Sequence, residues 1–246
     1  MIDIHSHLIF GVDDGSSCLD ESIRMIETAK KNSIDTIIAT PHFQLGIFCN
    51  DRALEKYELL AERAADYGMD IRLGNEVLAE DKLINFIDAI ESINFANSQR
   101  MLLELPYNAP FETAARLIQK IAAANIKIII AHPERNRKII RNLRNLINLI
   151  NVVNCQVQID AGSIAGVYGF LVKEAACQLL KAGVVDYVAS NAHCAMDYKT
   201  IFPAAVDKLY RLCDEEYSEK LLNPKPPEII NIAGGAVDHD HGRETG

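Results

Sequence analysis

Short apolar runs alternate with amphipathic segments along most of this 246-residue chain. Asp35–Thr40 and Ile126–Ala131 are rich in β-branched residues, as expected for strands buried on both faces of a parallel sheet. Phe111–Ala123 and Phe170–Ala182 instead repeat their apolar residues at the helical period. Repeated strand–helix units with short connections predict an α/β fold with a parallel sheet, and their number indicates a closed or nearly closed barrel.

The remaining predicted elements continue this alternation. Strands are predicted over Met1–Ile4, Met69–Leu73, Met101–Leu105, Cys155–Ile159 and Val184–Ser190, and helices over Asp51–Tyr67, Leu83–Ile93, Arg137–Ile150 and Ile201–Leu222. An α/β barrel can reach this length undivided, so residues 1–233 are predicted to form one domain. Residues 234–246 lack apolar periodicity and are predicted to be a disordered tail.

Polar clusters follow several of the predicted strands. They are His5-Ser6-His7, Thr40-Pro41-His42, Gly74-Asn75-Glu76, Leu103-Glu104, His132-Pro133-Glu134-Arg135 and Ser190-Asn191-Ala192-His193. In α/β barrels the strand ends meet on one face, where functional side chains gather. Randomly scattered histidines would not follow strand ends, so we predict a multinuclear metal centre on this face and the activity of a metal-dependent phosphohydrolase.

Single motifs in this set are less specific than the set itself. The His-x-His pattern places two imidazoles on the same side of an extended segment, where both can reach one ion. Asp14, in a loop bounded by Gly11 and Gly15, is either a ligand or a turn residue. Glu134 is expected to form an ion pair with the neighbouring Arg135. His239 and His241 have ligand-like spacing but lie in the predicted tail, so we expect no site there.

Composition and charge exclude several other classes of protein. A net charge of -9 argues against nucleic acid as a partner, because phosphate backbones bind clustered lysine and arginine. Phosphorylated substrates remain possible, since bound cations would provide positive charge. The six cysteines form no C-x-x-C pair, the first residues do not resemble a signal peptide, and no apolar run approaches a membrane span of about 18 residues. A cytoplasmic protein without membrane insertion is expected.

Two covalent mechanisms are also disfavoured. A cysteine-based phosphatase needs the pattern H-C-x5-R, but Thr200 occupies the arginine position after His193-Cys194. The G-x-S-x-G pattern of serine hydrolases is absent.

The ordered blocks Asp3-Ile4-His5-Ser6-His7, Val12-Asp13-Asp14-Gly15, Thr40-Pro41-His42, Gly74-Asn75-Glu76, His132-Pro133-Glu134-Arg135 and Ser190–His193 together resemble the polymerase-and-histidinol-phosphatase (PHP) superfamily. Within it, the chain is most similar to the manganese-dependent tyrosine-protein phosphatases of bacterial capsule and exopolysaccharide clusters, the CpsB/YwqE-like family. The similarity extends to about residue 222.

This resemblance implies a distorted (β/α)7 barrel of the PHP type, with three metal ions at its C-terminal face. The implied ligands are His5, His7, Glu76 and Asn191 for the first ion, Glu76, Glu104 and His132 for the second, and Asp14, His42 and His193 for the third. The ions are expected to be Mn2+, although Fe or Zn would accept the same ligands.

The resemblance also implies a reaction and a partner. A metal-bound hydroxide would attack the phosphorus of phosphotyrosine in line, without a phosphoenzyme, and Arg135 would bind the phosphate. Asp14 and His42 would be catalytic, and Lys199 could add positive charge at the substrate. The implied partner is the phosphotyrosine tail of an autophosphorylating bacterial tyrosine kinase that regulates capsule synthesis.

Two departures from the family pattern keep alternatives open. Asn191 stands where the family usually has aspartate, and Tyr198-Lys199 lies in the region where it usually has an arginine. One alternative is therefore an impaired member that binds phosphotyrosine without turnover. Another is a small-molecule phosphatase of the histidinol-phosphate type. Tyr107 and Tyr168 are either core residues or an aromatic rim, and the oligomeric state is open, with a homo-oligomer among the possibilities.

Overall fold

The computed structural model describes residues 1–45, 47, 51–83 and 100–224. The predicted helix Leu83–Ile93 lies outside these residues apart from its first position. The predicted tail, 234–246, and the domain boundary at residue 233 lie outside them as well.

Helices and strands alternate through the described ranges. The strands are β1 (Ile2–Ser6), β2 (Thr36–Ala39), β3 (His42–Phe43), β4 (Asp70–Leu73), β5 (Glu76–Leu78), β6 (Arg100–Glu104), β7 (Lys127–Ala131), β8 (Gln156–Asp160) and β9 (Tyr187–Ala189). The helices are α1 (Leu19–Lys31), α2 (Asp51–Ala65), α3 (Phe111–Ala123), α4 (Arg137–Ile140), α5 (Leu143–Val153), α6 (Ala161–Ala165), α7 (Phe170–Lys181), α8 (Phe202–Leu212) and α9 (Glu215–Leu222). None of the helices in these ranges is long and apolar enough to cross a bilayer.

All paired strands run parallel, in two sheets of order β1-β2-β4 and β3-β5-β6-β7-β8-β9. The sheets are joined where the chain passes from β2 to β3 and from β4 to β5, because Gly74 N–H donates to Ala39 O (2.8 Å) and Glu76 N–H donates to Pro41 O (3.1 Å). The predicted parallel α/β architecture is confirmed.

A second junction connects the first strand with the segment after the last one. Ser6 and Ala192 form an isolated parallel bridge, and His7 N–H donates to Ala192 O at 2.9 Å. The buried Asp3 carboxylate reinforces this junction by accepting hydrogen bonds from Ser190 N–H (2.9 Å) and the Tyr198 hydroxyl (2.7 Å). The closed (β/α)7 barrel stays a prediction, which these bonds between the outer strands support.

The strands are buried on both faces. In β7, Ile129 and Ala131 belong to an inner apolar cluster, whereas Ile128 and Ile130 belong to a larger cluster shared with the helices. The inner cluster draws on both sheets and consists of Ile4, Ile38, Leu102, Ile129, Ala131, Tyr187 and Ala189. Side chains alternate between the two faces of a strand, so burial on both faces explains the apolar runs seen in the sequence.

Two long predicted helices are interrupted. The segment predicted as one helix over Arg137–Ile150 forms α4 and α5. The segment predicted over Ile201–Leu222 forms α8 and α9, and a π-helical turn at Asp197–Ile201 leads into α8. The helix is interrupted at Asp214, between α8 and α9. The Asp214 side chain accepts the Tyr217 N–H at 2.8 Å and is therefore the N-cap of α9. The short strands β3 and β5 were not predicted, since two or three residues carry no detectable period.

The inner cluster provides a stability test at Ile129, whose side chain is fully buried. We expect Ile129→Ala to lower the free energy of unfolding by about 2–5 kcal/mol, because the substitution loses apolar burial and leaves a cavity. Urea unfolding followed by circular dichroism measures this change. The matched control is Val152→Ala in α5, where the side chain is 81% exposed and a change within about 0.5 kcal/mol is expected. Equal losses in both variants would contradict the inner cluster.

Candidate metal centre

The strand ends position the predicted polar residues on one side of the sheets. His5 lies in β1 and His7 just beyond it, His42 and Glu76 begin β3 and β5, Glu104 ends β6, His132 follows β7, Asp160 ends β8, and Asn191 and His193 follow β9. His42 and Glu76 also lie just past the C-terminal ends of β2 and β4, so parallel strands bring all of these positions together because their C-terminal ends point the same way.

The carboxylate of Glu76 is the centre of the cluster and is only 1% exposed. Its Oε2 lies 3.4 Å from His5 Nε2, 3.4 Å from His7 Nε2 and 3.0 Å from His42 Nδ1. Its Oε1 lies 2.6 Å from His132 Nε2. Four imidazoles from distant parts of the chain therefore meet on one buried carboxylate.

The electrostatics of this group are those of a site that holds positive charge. Burial alone would raise the pKa of Glu76, but the charge of His5 and hydrogen bonds from His132 and His42 hold that pKa well below its usual range. Burial lowers the pKa of His7, yet the hydrogen bond with Asp13 and the nearby carboxylate of Glu76 outweigh burial and raise it to about 10. The anionic surroundings of the imidazoles thus favour a cation, whether a proton or a metal ion.

A second grouping forms at the more open edge of the cluster. Asp14 Oδ1 lies 3.4 Å from both His42 Nε2 and His193 Nε2, and one ring nitrogen of His7 completes a set of four atoms within 4.8 Å of one another. Asp14 is 66% exposed, so this edge faces solvent. These four residues include the set that the resemblance implies for the third ion.

Two further groupings share members with the first. His42, Glu76 and Glu104 bring ligand atoms within 4.8 Å of one another, and so do His5, His132 and Asp160. The two carboxylates lie close enough to repel each other, and burial together with the negative charge of Glu76 raises the pKa of Glu104. A cation between them would relieve that repulsion.

Neighbouring polar groups fix the orientation of the imidazoles. Asp13 Oδ2 lies 2.7 Å from His7 Nδ1 and also accepts the backbone N–H of His42 at 3.0 Å. Gln158 Oε1 lies 3.2 Å from His5 Nδ1. Because one ring nitrogen of His5 and of His7 is held from behind, the other is aimed at Glu76, as is typical of histidines that ligate metals.

Several buried polar atoms of the cluster lack a hydrogen-bond partner among the described residues. They are His5 Nε2, His7 Nε2 and Asn191 Oδ1. Leaving such atoms unsatisfied in a protein interior costs about 1–3 kcal/mol each. Imidazole nitrogens together with carboxylate and amide oxygens are ligands that Mn, Fe and Zn accept, so these residues fit divalent metal ions.

Arg135 lies beside the cluster, in the 3-10 turn Pro133–Arg135. Its Nη1 is 2.9 Å from Asp160 Oδ2, and its guanidinium stacks over the Tyr168 ring at 4.5 Å. The expected ion pair with Glu134 is wrong, because the Glu134 side chain is buried and accepts hydrogen bonds from Ser163 Oγ (2.6 Å) and Asp160 N–H (2.9 Å).

One predicted substrate residue lies apart from this group. Lys199 is exposed in the π-helical turn Asp197–Ile201, and it has no hydrogen bond or ion pair with any described residue of the cluster. The neighbouring Tyr198 is instead fully buried against Asp3. His239 and His241 lie outside the described residues.

Sequence reasoning overlooked Asp160 and gave Asp13 no role of its own. Asp160 directly follows the strand predicted over Cys155–Ile159 and ends the observed β8, so the rule that polar residues follow strand ends already pointed to it. Asp13 could not be separated from Asp14 by sequence, since only the folded loop directs one carboxylate to His7 and the other to His42 and His193.

A solved structure shares this fold over most of its length. The crystal structures of YwqE from Bacillus subtilis and CpsB from Streptococcus pneumoniae, described as unique metal-dependent tyrosine phosphatases, include a chain that superposes with a TM-score of 0.81 at 29% identity. The match covers 90% of this chain and 91% of that one.

Curated relatives and a family profile agree with the structural match. The tyrosine-protein phosphatase YwqE of Bacillus subtilis is 32% identical over 197 residues, covering 78% of this chain and 77% of YwqE. The tyrosine-protein phosphatase CpsB of Streptococcus agalactiae serotype III is 25% identical over 233 residues, covering 91% and 93%. The profile described as "Capsular polysaccharide synthesis, CpsB/CapC" matches residues 1–231. The resemblance found in the sequence is thereby confirmed, and the chain belongs to the CpsB/CapC family.

Proposed function

We propose that this chain is a metal-dependent protein-tyrosine phosphatase of capsule or exopolysaccharide synthesis. The observation that carries the proposal is the Glu76 carboxylate surrounded by four imidazoles, with Arg135 beside them. Relatives of similar length are named tyrosine-protein phosphatases, which supports phosphotyrosine as the substrate class.

The proposed metal ligands are those that the resemblance implies, and overlapping groups of ligand atoms in the structure support them for all but Asn191. His5, His7, Glu76 and Asn191 would hold one ion, Glu76, Glu104 and His132 a second, and Asp14, His42 and His193 a third. When bound, divalent ions supply an activated water and positive charge for the phosphate oxygens. We favour Mn2+ because the resemblance is to manganese-dependent phosphatases, although these nitrogen and oxygen donors would also accept Fe or Zn.

Arg135 is the proposed phosphate-binding residue. Asp160 and the Tyr168 ring hold its guanidinium from two sides, while Nη2 and Nε have no hydrogen-bond partner among the described residues. The side chain is 31% exposed, so a substrate can reach part of it. A guanidinium can donate two parallel hydrogen bonds to phosphate and stabilise the charge that its oxygens carry during transfer.

The exposed edge of the cluster is the proposed side of substrate entry. Asp14 is largely exposed and lies against His42 and His193, whereas Glu76 and His132 are buried behind them. Asp14 and His42 would therefore act on the phosphate side of the centre. Lys199 stays a proposed contributor of charge only at the periphery.

A cleft of about 550 Å³ beside Arg135 favours a peptide substrate. It is lined by Tyr107, Tyr168, Phe170 and Leu171 together with Arg137 and Arg141. Exposed aromatic and basic side chains of this kind suit the residues that flank a phosphotyrosine in an acidic segment. The partner we propose is accordingly the phosphorylated tail of a bacterial tyrosine kinase, encountered in the cytoplasm.

The decisive assay is phosphate release from a phosphotyrosine peptide. We expect hydrolysis with added Mn2+, none with excess chelator, and recovery when Mn2+ is restored, because the buried imidazole–carboxylate cluster needs its ions for chemistry. Histidinol phosphate and a matched phosphoserine peptide serve as comparison substrates. Faster hydrolysis of histidinol phosphate would favour a small-molecule phosphatase, and tight peptide binding without any release would favour a non-catalytic phosphotyrosine binder.

Replacing Arg135 separates phosphate binding from metal binding. We expect Arg135→Ala to lower kcat/KM by about 10²–10³-fold through loss of the phosphate contacts, with Arg135→Lys in between because an ammonium lacks the fork geometry. Metal content per chain, measured by mass spectrometry, should stay at the wild-type value. The control is Arg144→Ala, an exposed arginine on α5. Wild-type kcat/KM in Arg135→Ala would exclude the proposed role.

Asp13 provides a test of ligand orientation. Asp13→Asn keeps the shape of the side chain but weakens its hold on His7 Nδ1, so we expect metal affinity to fall by about 10–100-fold. Calorimetric titration of the metal-free protein with Mn2+ measures this affinity. Asp20→Asn, an exposed position in the first turn of α1, removes the same charge and should leave affinity unchanged. A similar loss in both variants would point to a general effect of charge.

A further inference from the structure

Asp160 is a carboxylate of the cluster for which the proposed ligand sets have no role. It ends β8, its side chain is fully buried, and one of its oxygens lies within 4.8 Å of ring nitrogens of His5 and His132. A buried carboxylate is retained only with compensating partners, because desolvation of the charge is costly. The nature of its partners therefore indicates what it does.

Three side chains donate hydrogen bonds to Asp160. Arg135 Nη1 and Asn191 Nδ2 donate to Oδ2 at 2.9 and 3.1 Å, and Gln158 Nε2 donates to Oδ1 at 3.0 Å. Gln158 in turn faces His5 Nδ1 through its carbonyl oxygen, at 3.2 Å. Asp160 is thus hydrogen-bonded directly to Asn191 and linked to His5 through Gln158.

The bond to Asn191 determines which atom this residue offers to the cluster. An ionised carboxylate only accepts hydrogen bonds, so the amide nitrogen must face Asp160 and the amide oxygen must point elsewhere. That oxygen, Oδ1, is buried and has no partner among the described residues. It has the same character as His5 Nε2 and His7 Nε2, which are also buried without a partner.

Asn191 and Asp160 differ in the charge that they bring to the cluster. Asn191 is neutral, so its oxygen can ligate an ion without offsetting the ion's charge. Asp160 brings a carboxylate to the same place, because its Oδ2 accepts hydrogen bonds from the Arg135 guanidinium at 2.9 Å and from Asn191 at 3.1 Å. A negative charge one hydrogen bond behind a neutral ligand strengthens the ligand's hold on a cation.

We propose that Asp160 and Asn191 act as one unit of the metal centre, in which Asn191 provides the ligand oxygen and Asp160 provides its orientation and the negative charge. The inference rests on the proposed function in one respect, namely that the cluster binds divalent metal ions. Asp160 is in this view a positioning residue for metal binding, in addition to its ion pair with Arg135.

Exchanging the two side chains tests this unit. The variants are Asp160→Asn, which removes the charge at nearly constant shape, and the double variant Asp160→Asn with Asn191→Asp, which keeps one carboxylate and one amide in reversed order. Asp207→Asn, in an exposed ion pair on α8, is the matched control for loss of one negative charge. Mn2+ affinity is measured by calorimetry and Mn2+ per chain by mass spectrometry, with thermal unfolding of each metal-free protein as the check on folding.

We expect Asp160→Asn to weaken Mn2+ binding by about 10–100-fold and the double variant to recover to within a few-fold of wild type. If folded Asp160→Asn binds Mn2+ as tightly as wild type and only its activity is reduced, Asp160 serves only to hold Arg135, and the proposal is overturned. Loss of affinity that the folded double variant fails to restore would also overturn it. If Asp160→Asn does not fold, the double variant decides, because folded protein that binds Mn2+ supports the unit and folded protein that does not contradicts it.

The same measurements separate this inference from the proposed function. A wild-type chain that binds no divalent metal would remove the basis of the phosphatase proposal itself. Wild-type protein that binds Mn2+ and hydrolyses phosphotyrosine, together with an Asp160→Asn variant that binds Mn2+ equally well, would remove only the role of Asp160.

Discussion

The contacts of the Glu76 carboxylate are the constraint on which this site depends. A carboxylate buried to this degree is tolerated only if cations or donors surround it, and here the imidazoles of His5, His7, His42 and His132 do so. These residues come from β1, β3 and the segment after β7, so the strands must be in register before the carboxylate is satisfied. The cluster is therefore a consequence of the sheet order as much as of the residue types.

A layer of polar groups behind the imidazoles makes the arrangement rigid. Asp13 holds His7 and the backbone of His42, Gln158 holds His5, and Asp160 holds Asn191 and Arg135. The layer also has an electrostatic effect, because its carboxylates raise the pKa of neighbouring imidazoles. At His132, burial lowers the pKa, but Asp160 and Glu76 together outweigh burial and raise it to about 9. A site with this much negative charge attracts protons or metal ions to the same atoms.

The sequence predicted most of this arrangement, and the errors have identifiable physical causes. Strand-end patterns placed His5, His7, His42, Glu76, Glu104, His132 and His193 correctly in one cluster because parallel strands share a direction. Side-chain partners were less predictable: Glu134 was paired with Arg135 as its neighbour in sequence, whereas the tertiary structure pairs Arg135 with Asp160, 25 residues away. The interruption between α8 and α9 depends on a single capping hydrogen bond to Asp214, which the spacing of apolar residues in the sequence does not reveal.

The junction of β1 with the segment after β9 has a consequence for how the molecule assembles. Asp3 reaches Ser190 and Tyr198 across 187 and 195 residues, and Asn191 donates its backbone N–H to the carbonyl of His5. Contacts so distant along the chain form slowly, because a long loop must close before they stabilise anything. During synthesis His5 and His7 emerge from the ribosome long before their neighbours in the fold, and the centre becomes complete only when the segment after β9 has been made. The N-terminal residues of the cluster therefore lack their partners until the C-terminal residues of the cluster have been translated.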